Sequence, residues 1–152
     1  MATIWQQAEE LKDEMVERRR DLHRHPETGW TEFRTASMII GELKKLGYDV
    51  KFGADVIDEK SMMGVPSEAE LADYMQRAIN EGANPELVKK MAGGKTGIVA
   101  TLKTDKPGKT VAFRFDMDYN NKKEEHFDEH RPAKEGFASE HIYAMHEKKK
   151  KK

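Results

Sequence analysis

The stretch TEFRTASMIIGELKKLGYDVKF, Thr31–Phe52, changes its hydrophobic period once, and that change decides the fold class. From Thr31 to Leu46 the apolar residues Ala36, Ile39, Ile40, Leu43 and Leu46 recur at helical spacing, which predicts a helix with one buried stripe. Gly47 is the left-handed residue expected just past such a helix. Tyr48, Val50 and Phe52 then alternate with Asp49 and Lys51, the period of a half-buried strand. A helix running straight into a strand predicts a mixed α/β chain.

On the N-terminal side, Ile4, Ala8, Leu11, Met15 and Leu22 predict one helix from about Ile4 to His23 with an apolar face. Thr3 is its N-cap, and Pro26 forbids continuation. On the C-terminal side, residues 53–66 read as a loop. Ser67 and Glu70 form a capping-box pattern before Leu71, Tyr74, Met75 and Ala78. Asn84-Pro85 opens a short helix through Leu87, Val88 and Met91, ended by Gly93-Gly94. Gly97–Lys103 and Thr110–Met117 read as strands, and the Pro107-Gly108 turn signal between them predicts an antiparallel hairpin. In the second of these strands Val111, Phe113, Phe115 and Met117 share one face, and Arg114, Asp116 and Asp118 share the other. Residues 119–146 are polar without a sustained period, a length expected in a compact domain only where it serves a site or packs on something. The low-complexity end from Glu147 is expected to be solvated and disordered, which leaves residues 1–146 as the folding part and 147–152 as a Lys-rich tail.

At 152 residues the chain suits one domain, with 27 basic and 28 acidic residues and a formal net charge of −1. Five of the lysines are the terminal run Lys148–Lys152, so the body is acidic, which argues against a dedicated nucleic-acid binder. No apolar run approaches the roughly 18–20 residues of a membrane span, and no secretory leader pattern opens the chain. Cysteine is absent, which removes disulfides, cysteine nucleophiles and cysteine metal sites. A cytoplasmic protein is the default expectation.

Three constellations carry possible chemistry. Gly93-Gly94-Lys95-Thr96 matches part of a phosphate-binding loop, but Lys89 stands where that motif needs glycine. The segment also follows a helix and opens a strand, the reverse of what the motif requires, so it reads as a helix stop. His126 and His130 lie four apart among Glu124, Glu125, Asp128 and Glu129, a spacing that can bind zinc on a helical turn. With no apolar face to hold such a helix, a solvated acidic loop is the stronger reading, and His126, His130, His141 and His146 stand only as weak metal candidates. Asp116 and Asp118 end an apolar strand on one face, about 7 Å apart by strand geometry, where open α/β sheets place their sites. By spacing alone, a solvated strand end with Arg114 as charge partner competes with a site of paired carboxylates.

Arg19-Arg20-Asp21-Leu22-His23-Arg24-His25-Pro26-Glu27-Thr28-Gly29-Trp30, continuing through Thr35, closely resembles a signature of the metal-dependent amidohydrolase and carboxypeptidase family. That family includes aminoacylases, carboxypeptidase G and hydrolases of indoleacetyl-amino acids. Gly93–Leu102, Ala112–Asp118 and His130-Arg131-Pro132 through Gly136-Phe137-Ala138-Ser139 are similar to its aminobenzoyl-glutamate hydrolase branch, and specifically to the A subunits of that branch. The resemblance implies a peptidase-type catalytic domain, incomplete here, with a mixed central sheet flanked by helices, two metal ions (zinc or manganese) and a bridging water that attacks an amide carbonyl with a glutamate as general base. It implies a ligand-orienting role for Asp118, with Asp116 beside it, and gives His23–Glu27 structural packing at a helix terminus. The natural substrate class would be a small acyl-amino acid, and a protein partner subunit would be expected.

The departures bear on activity. The branch continues Met-His with Ala-Cys-Gly-His-Asp-Gly-His, whereas Ala144-Met145-His146 is followed here by Glu147 and five lysines. The family's metal-binding cysteine, later histidines, glutamate pair and smaller dimerisation domain have no counterpart in this sequence. The chain is therefore expected to represent the N-terminal third of such an enzyme, to lack a cofactor of its own and to be inactive alone. The alternative is a binding protein derived from this fold that docks on a partner chain.

Overall fold

The computed structural model describes residues 2–119, 124, 127 and 129–139. The chain divides into two compact units, residues 27–119 and residues 1–26 with 120–152. The tail from Glu147, together with His126, His141 and His146, lies outside the described residues.

The unit of residues 27–119 is built on α3, Phe33–Lys45. Downstream of it come β1, Asp49–Phe52, then two 3-10 turns at Gly53–Asp55 and Glu59–Ser61. α4 spans Glu68–Asn80, α5 spans Pro85–Lys90, and β2 spans Ile98–Thr101. Local chemistry sets the ends of these elements. Ser67 and Glu70 make a reciprocal capping box on α4, and the Asn84 side chain accepts from the amides of Glu86 and Leu87 at the start of α5. Gly93 and Gly94, both at positive φ, end the α5 turn before β2, so the Gly-Gly-Lys-Thr run is a helix stop, as its sequence context predicts.

β1 and β2 pair antiparallel, with Val50 opposite Ala100 and Phe52 opposite Ile98. Val50, Phe52 and Ile98 are partly buried against the core, and the alternate residues Asp49, Lys51, Val99 and Thr101 face outward. Phe33, Ala36, Ile40, Leu71, Ala78, Ala83, Val88 and Met91 form that core, drawn from α3, α4 and the α5 region. Gly53 allows the chain to leave β1, since a Cβ there would meet the Lys90 carbonyl oxygen at 2.6 Å and its φ is +70°. The mixed α/β class expected from Thr31–Phe52 is thus the observed one, with a small two-stranded sheet.

Three local expectations are corrected. Leu46 does not continue the α3 stripe: it lies one residue past the helix end and is exposed, whereas Phe33, Thr35 and Ser37 are buried. Thr110–Met117 is not a strand and the 97–117 hairpin does not form: β2 pairs with β1, and no ladder among the described residues includes 110–117. A strand without a ladder has no backbone pairing to hold it. Met117 still packs on the core, while Val111, Phe113 and Phe115 are exposed.

In the unit of residues 1–26 with 120–152, the expected single helix is two: α1, Ile4–Glu10, and α2, Lys12–Arg24. Leu11, at φ −84° and ψ −6°, interrupts them. Thr3 and Gln6 form the capping box of α1, and α2 stops before Pro26. The stripe is not a core face, however. Ile4, Leu11 and Met15 are exposed and neither helix has a buried residue. Among the described residues of this unit a third helix is α6, Arg131–Lys134, with Phe137 and Ser139 buried just beyond it.

Candidate functional site

The two aspartates singled out by spacing meet different fates. Asp116 accepts from Arg114 Nη2 at 2.9 Å and Nε at 3.2 Å, in an exposed pair that is worth little to stability. Asp118 is anchored on both sides: Met117 packs on the core, and the amide of Tyr119 donates to the Glu27 carbonyl at 2.8 Å. Asp118 thereby stands close enough to Glu32 for its charge to be felt there. Asp116 is thus engaged with Arg114, while the charge of Asp118 is felt at Glu32, in a group of glutamates at the N-terminus of α3.

That group is built by the α3 N-terminus. The buried Glu27 carboxylate accepts from the amides of Arg34 and Thr35, each at 2.8 Å, satisfying two of the donors that a helix start leaves open. Of the His23–Glu27 stretch expected to pack at a helix terminus, Glu27 does so on α3, whereas His23 meets Glu124. Burial pushes the Glu27 pKa up, against the lowering pull of those two amides. Glu32, the N-cap residue, accepts from the Thr96 hydroxyl at 2.6 Å. Its pKa is also raised by burial, opposed by the Thr96 hydrogen bond and reinforced by the charge of Asp118. Between the two glutamates Trp30 sits at φ +67°, a left-handed conformation rare for a bulky side chain, with its indole N–H donating to the Met63 carbonyl at 2.9 Å.

In the other unit the acidic stretch is not simply solvated, which corrects that expectation for Glu124. Its side chain is only 9% exposed. One carboxylate oxygen takes both His23 Nε2 at 2.7 Å and His130 Nε2 at 2.9 Å, and the other accepts the Ser139 amide at 2.7 Å. Burial pushes the Glu124 pKa up, but the Ser139 amide and the two imidazoles outweigh it and hold the group low. Phe137 closes the cluster, edge-on to His23 at 5.6 Å and beneath the Arg20 guanidinium at 4.9 Å. Sequence reasoning missed both the Glu124 hub and the Glu32–Thr96 pair, because the partners lie 101 and 64 residues apart and no local period links them.

These opposite shifts predict opposite responses to acid. Glu27 and Glu32 have pKa values raised above 4.5, so their stabilising contribution is full below 4.5 and is lost as pH rises through their folded values. Glu124 has a lowered pKa, so its contribution is present above 4.5 and is lost as pH falls through its folded value. Amide exchange followed as a function of pH is expected to show Glu27→Gln removing the rising-pH loss at α3. Glu124→Gln is expected to remove the falling-pH loss at α2 and α6. Unchanged pH slopes in both variants would refute these assignments.

Among the described residues no group of three or more His, Asp or Glu side chains is arranged to hold a metal ion. The chemistry of the individual donors agrees: Asp116 is tied to Arg114, and His23 and His130 are both turned onto one oxygen of Glu124. The described residues by themselves do not fit a metal centre of the family's kind.

No family model matches the chain. Individual relatives do. The chain is 48% identical over 137 residues to the indole-3-acetyl-aspartic acid hydrolase of Enterobacter agglomerans, covering 90% of the chain and 31% of that protein. It is 42% identical over 146 residues to the A subunit of the p-aminobenzoyl-glutamate hydrolase of Escherichia coli, covering 96% of the chain and 34% of that protein. This chain is a homologue of the aminobenzoyl-glutamate hydrolase A subunits. The fold agrees with that relationship: the crystal structure of the aminobenzoyl-glutamate utilization protein from Klebsiella pneumoniae superposes with a TM-score of 0.75 at 45% identity, over 78% of the chain and 30% of its own length. The chain thus spans about a third of the length of the hydrolase relatives it matches. No helix among the described residues is long and apolar enough to cross a membrane.

Proposed function

We propose that this chain forms the N-terminal part of a metal-dependent amidohydrolase of the aminobenzoyl-glutamate type, and that it does not carry out the reaction by itself. The reaction of the whole protein would be hydrolysis of an amide bond to an amino acid such as glutamate, assisted by zinc or manganese. The observation that carries this reading is the placement of Asp118. It ends a core-anchored segment beside the α3 N-terminus, on a chain homologous to such hydrolases over a third of their length. Asp118 is the residue proposed to orient a ligand in the intact site, with Asp116 next to it in sequence but engaged with Arg114. Because the E. coli relative is named as one lettered subunit of its hydrolase, an assembly with a second kind of chain is proposed for the intact protein, with a cytoplasmic location.

Inactivity of the chain alone follows from chemistry that has to act as a unit. A catalytic metal needs about three protein ligands and an activated water, and the sequence contains no cysteine to match the ligand of this branch. Removing metal and general base together leaves no useful rate enhancement. The test is purified chain with excess zinc or manganese and aminobenzoyl-glutamate, expected to give no chelator-sensitive release of aminobenzoate above a metal-only blank. Turnover that survives a control for host hydrolases and disappears in Asp118→Ala would overturn the claim.

A further inference from the structure

We propose that the apolar stripe of α1 and α2 is a self-association face, covered by the same stripe of a second copy of this chain. The two copies lie parallel and in register as a short two-stranded coiled coil. The inference goes beyond the hydrolase reading and does not depend on it. It stands on two observations: the stripe has the coiled-coil period and is exposed, and the charges flanking it have opposite signs on its two sides.

Ile4, Ala8, Leu11 and Met15 fall at alternating spacings of four and three, the d-a-d-a order of a heptad. All four are exposed, Ile4 at 88%, Leu11 at 50% and Met15 at 63%. A regular apolar stripe held out to solvent marks an interaction surface. The same register ends the seam. Arg18 takes the next d position, where its guanidinium donates to Glu14, and Leu22, the next a residue, is half-buried. The exposed seam therefore covers about two heptads. Leu11, between the helices, keeps right-handed helical dihedral angles, so α1 and α2 can join through it into the continuous helix that a coiled coil needs.

Charge complementarity commits the seam to a second copy. The e positions of this register are Trp5, Lys12 and Arg19, and the g positions are Gln7, Glu14 and Asp21. One flank is thus basic and the other acidic. In a parallel pair each g residue faces the e residue of the next heptad on its neighbour. Gln7 then meets Lys12 of the second copy and Glu14 meets Arg19, and the two-fold symmetry makes each contact twice. An antiparallel pair sets e against e and g against g, which opposes like charges on both flanks. Within the chain Lys12 pairs with Glu9 and Glu14 with Arg18, both in exposed ion pairs worth little, so exchanging them for contacts across the seam costs little. A lipid surface fits less well. The two helices carry more acidic than basic residues and lack the basic face that holds an amphipathic helix to anionic headgroups.

The full 152-residue chain is tested by sedimentation equilibrium and amide exchange over a range of concentrations. The mass is expected to rise from monomer toward dimer, with exchange at 8–15 slowed at least tenfold as it does. Leu11→Glu with Met15→Glu is expected to weaken the dimer at least tenfold, whereas Met15→Leu is expected to retain it. Both parent side chains are exposed, so exchange at α3 and α6 stays unchanged and shows the variants folded. Glu14→Arg is expected to weaken the dimer, and adding Arg19→Glu to restore it, a rescue that loss of helix alone would not produce. Because the chain has no cysteine, Met15→Cys reports orientation: a parallel pair sets position 15 against itself and cross-links on oxidation, whereas Asp13→Cys, at an f position, does not. A monomeric mass up to roughly 1 mM, a dimer indifferent to the paired Glu substitutions, charge reversal without rescue, or cross-linking through position 13 as fast as through position 15 overturns the proposal. Protection at 8–15 that appears only with phosphatidylglycerol vesicles, or only with the part of the E. coli relative that this chain does not match, also overturns it, since another occupant then covers the seam. None of these readouts measures hydrolysis, so failure here leaves the hydrolase reading standing, and failure of that reading leaves the dimer standing.

Discussion

Phe33→Ala is expected to destabilise the unit of residues 27–119 by roughly 3–5 kcal/mol, the range for deleting a fully buried phenylalanine. Phe33 has no exposed surface and lies at the first position of α3, the helix on which the rest of that unit packs. The loss has two parts, the transfer of the ring and the cavity left where the surroundings collapse only partly. The core here is eight buried residues, three of them alanine, so few large side chains remain to fill the space. Total stabilities of small domains are about 5–15 kcal/mol, and the change therefore removes a large share. Urea unfolding followed by far-ultraviolet circular dichroism is the measurement. A midpoint within a few tenths molar of the parent would show that α3 is not the centre of this core.

Glu27→Ala is expected to cost roughly 2–3 kcal/mol, although it removes a charge from a buried position. The carboxylate makes two hydrogen bonds, to the amides of Arg34 and Thr35, and bonds to a charged group contribute about 1.5–3 kcal/mol each. Relief of the burial penalty, visible in the raised pKa, offsets part of that sum. Glu27→Gln separates the two effects, because the amide side chain has one acceptor oxygen for two donors and no charge to desolvate. An intermediate loss is expected for it. Equal stability of Glu27→Ala and the parent would show that water satisfies the α3 amides as well as the carboxylate does.

Short windows of the sequence determined the helices and their ends in this protein. Thr3 with Gln6, Ser67 with Glu70 and Asn84 with Pro85 each set a helix start within three residues, because the donors they satisfy belong to the adjoining turn. The periodic stripe of α3 likewise predicted Ala36 and Ile40 in the core, and the alternation at Tyr48–Phe52 predicted a strand. Period alone carries no information about what covers a face. The stripe of α1 and α2 is regular yet exposed, and the alternation of 110–117 is regular yet unpaired. Tertiary structure decided that β2 pairs with β1, that Glu32 meets Thr96, and that His23 and His130 converge on Glu124. Each of those choices joins residues far apart in the chain. A ladder partner or a buried carboxylate's donor is selected by which surfaces the packed elements bring together, and no local pattern encodes that.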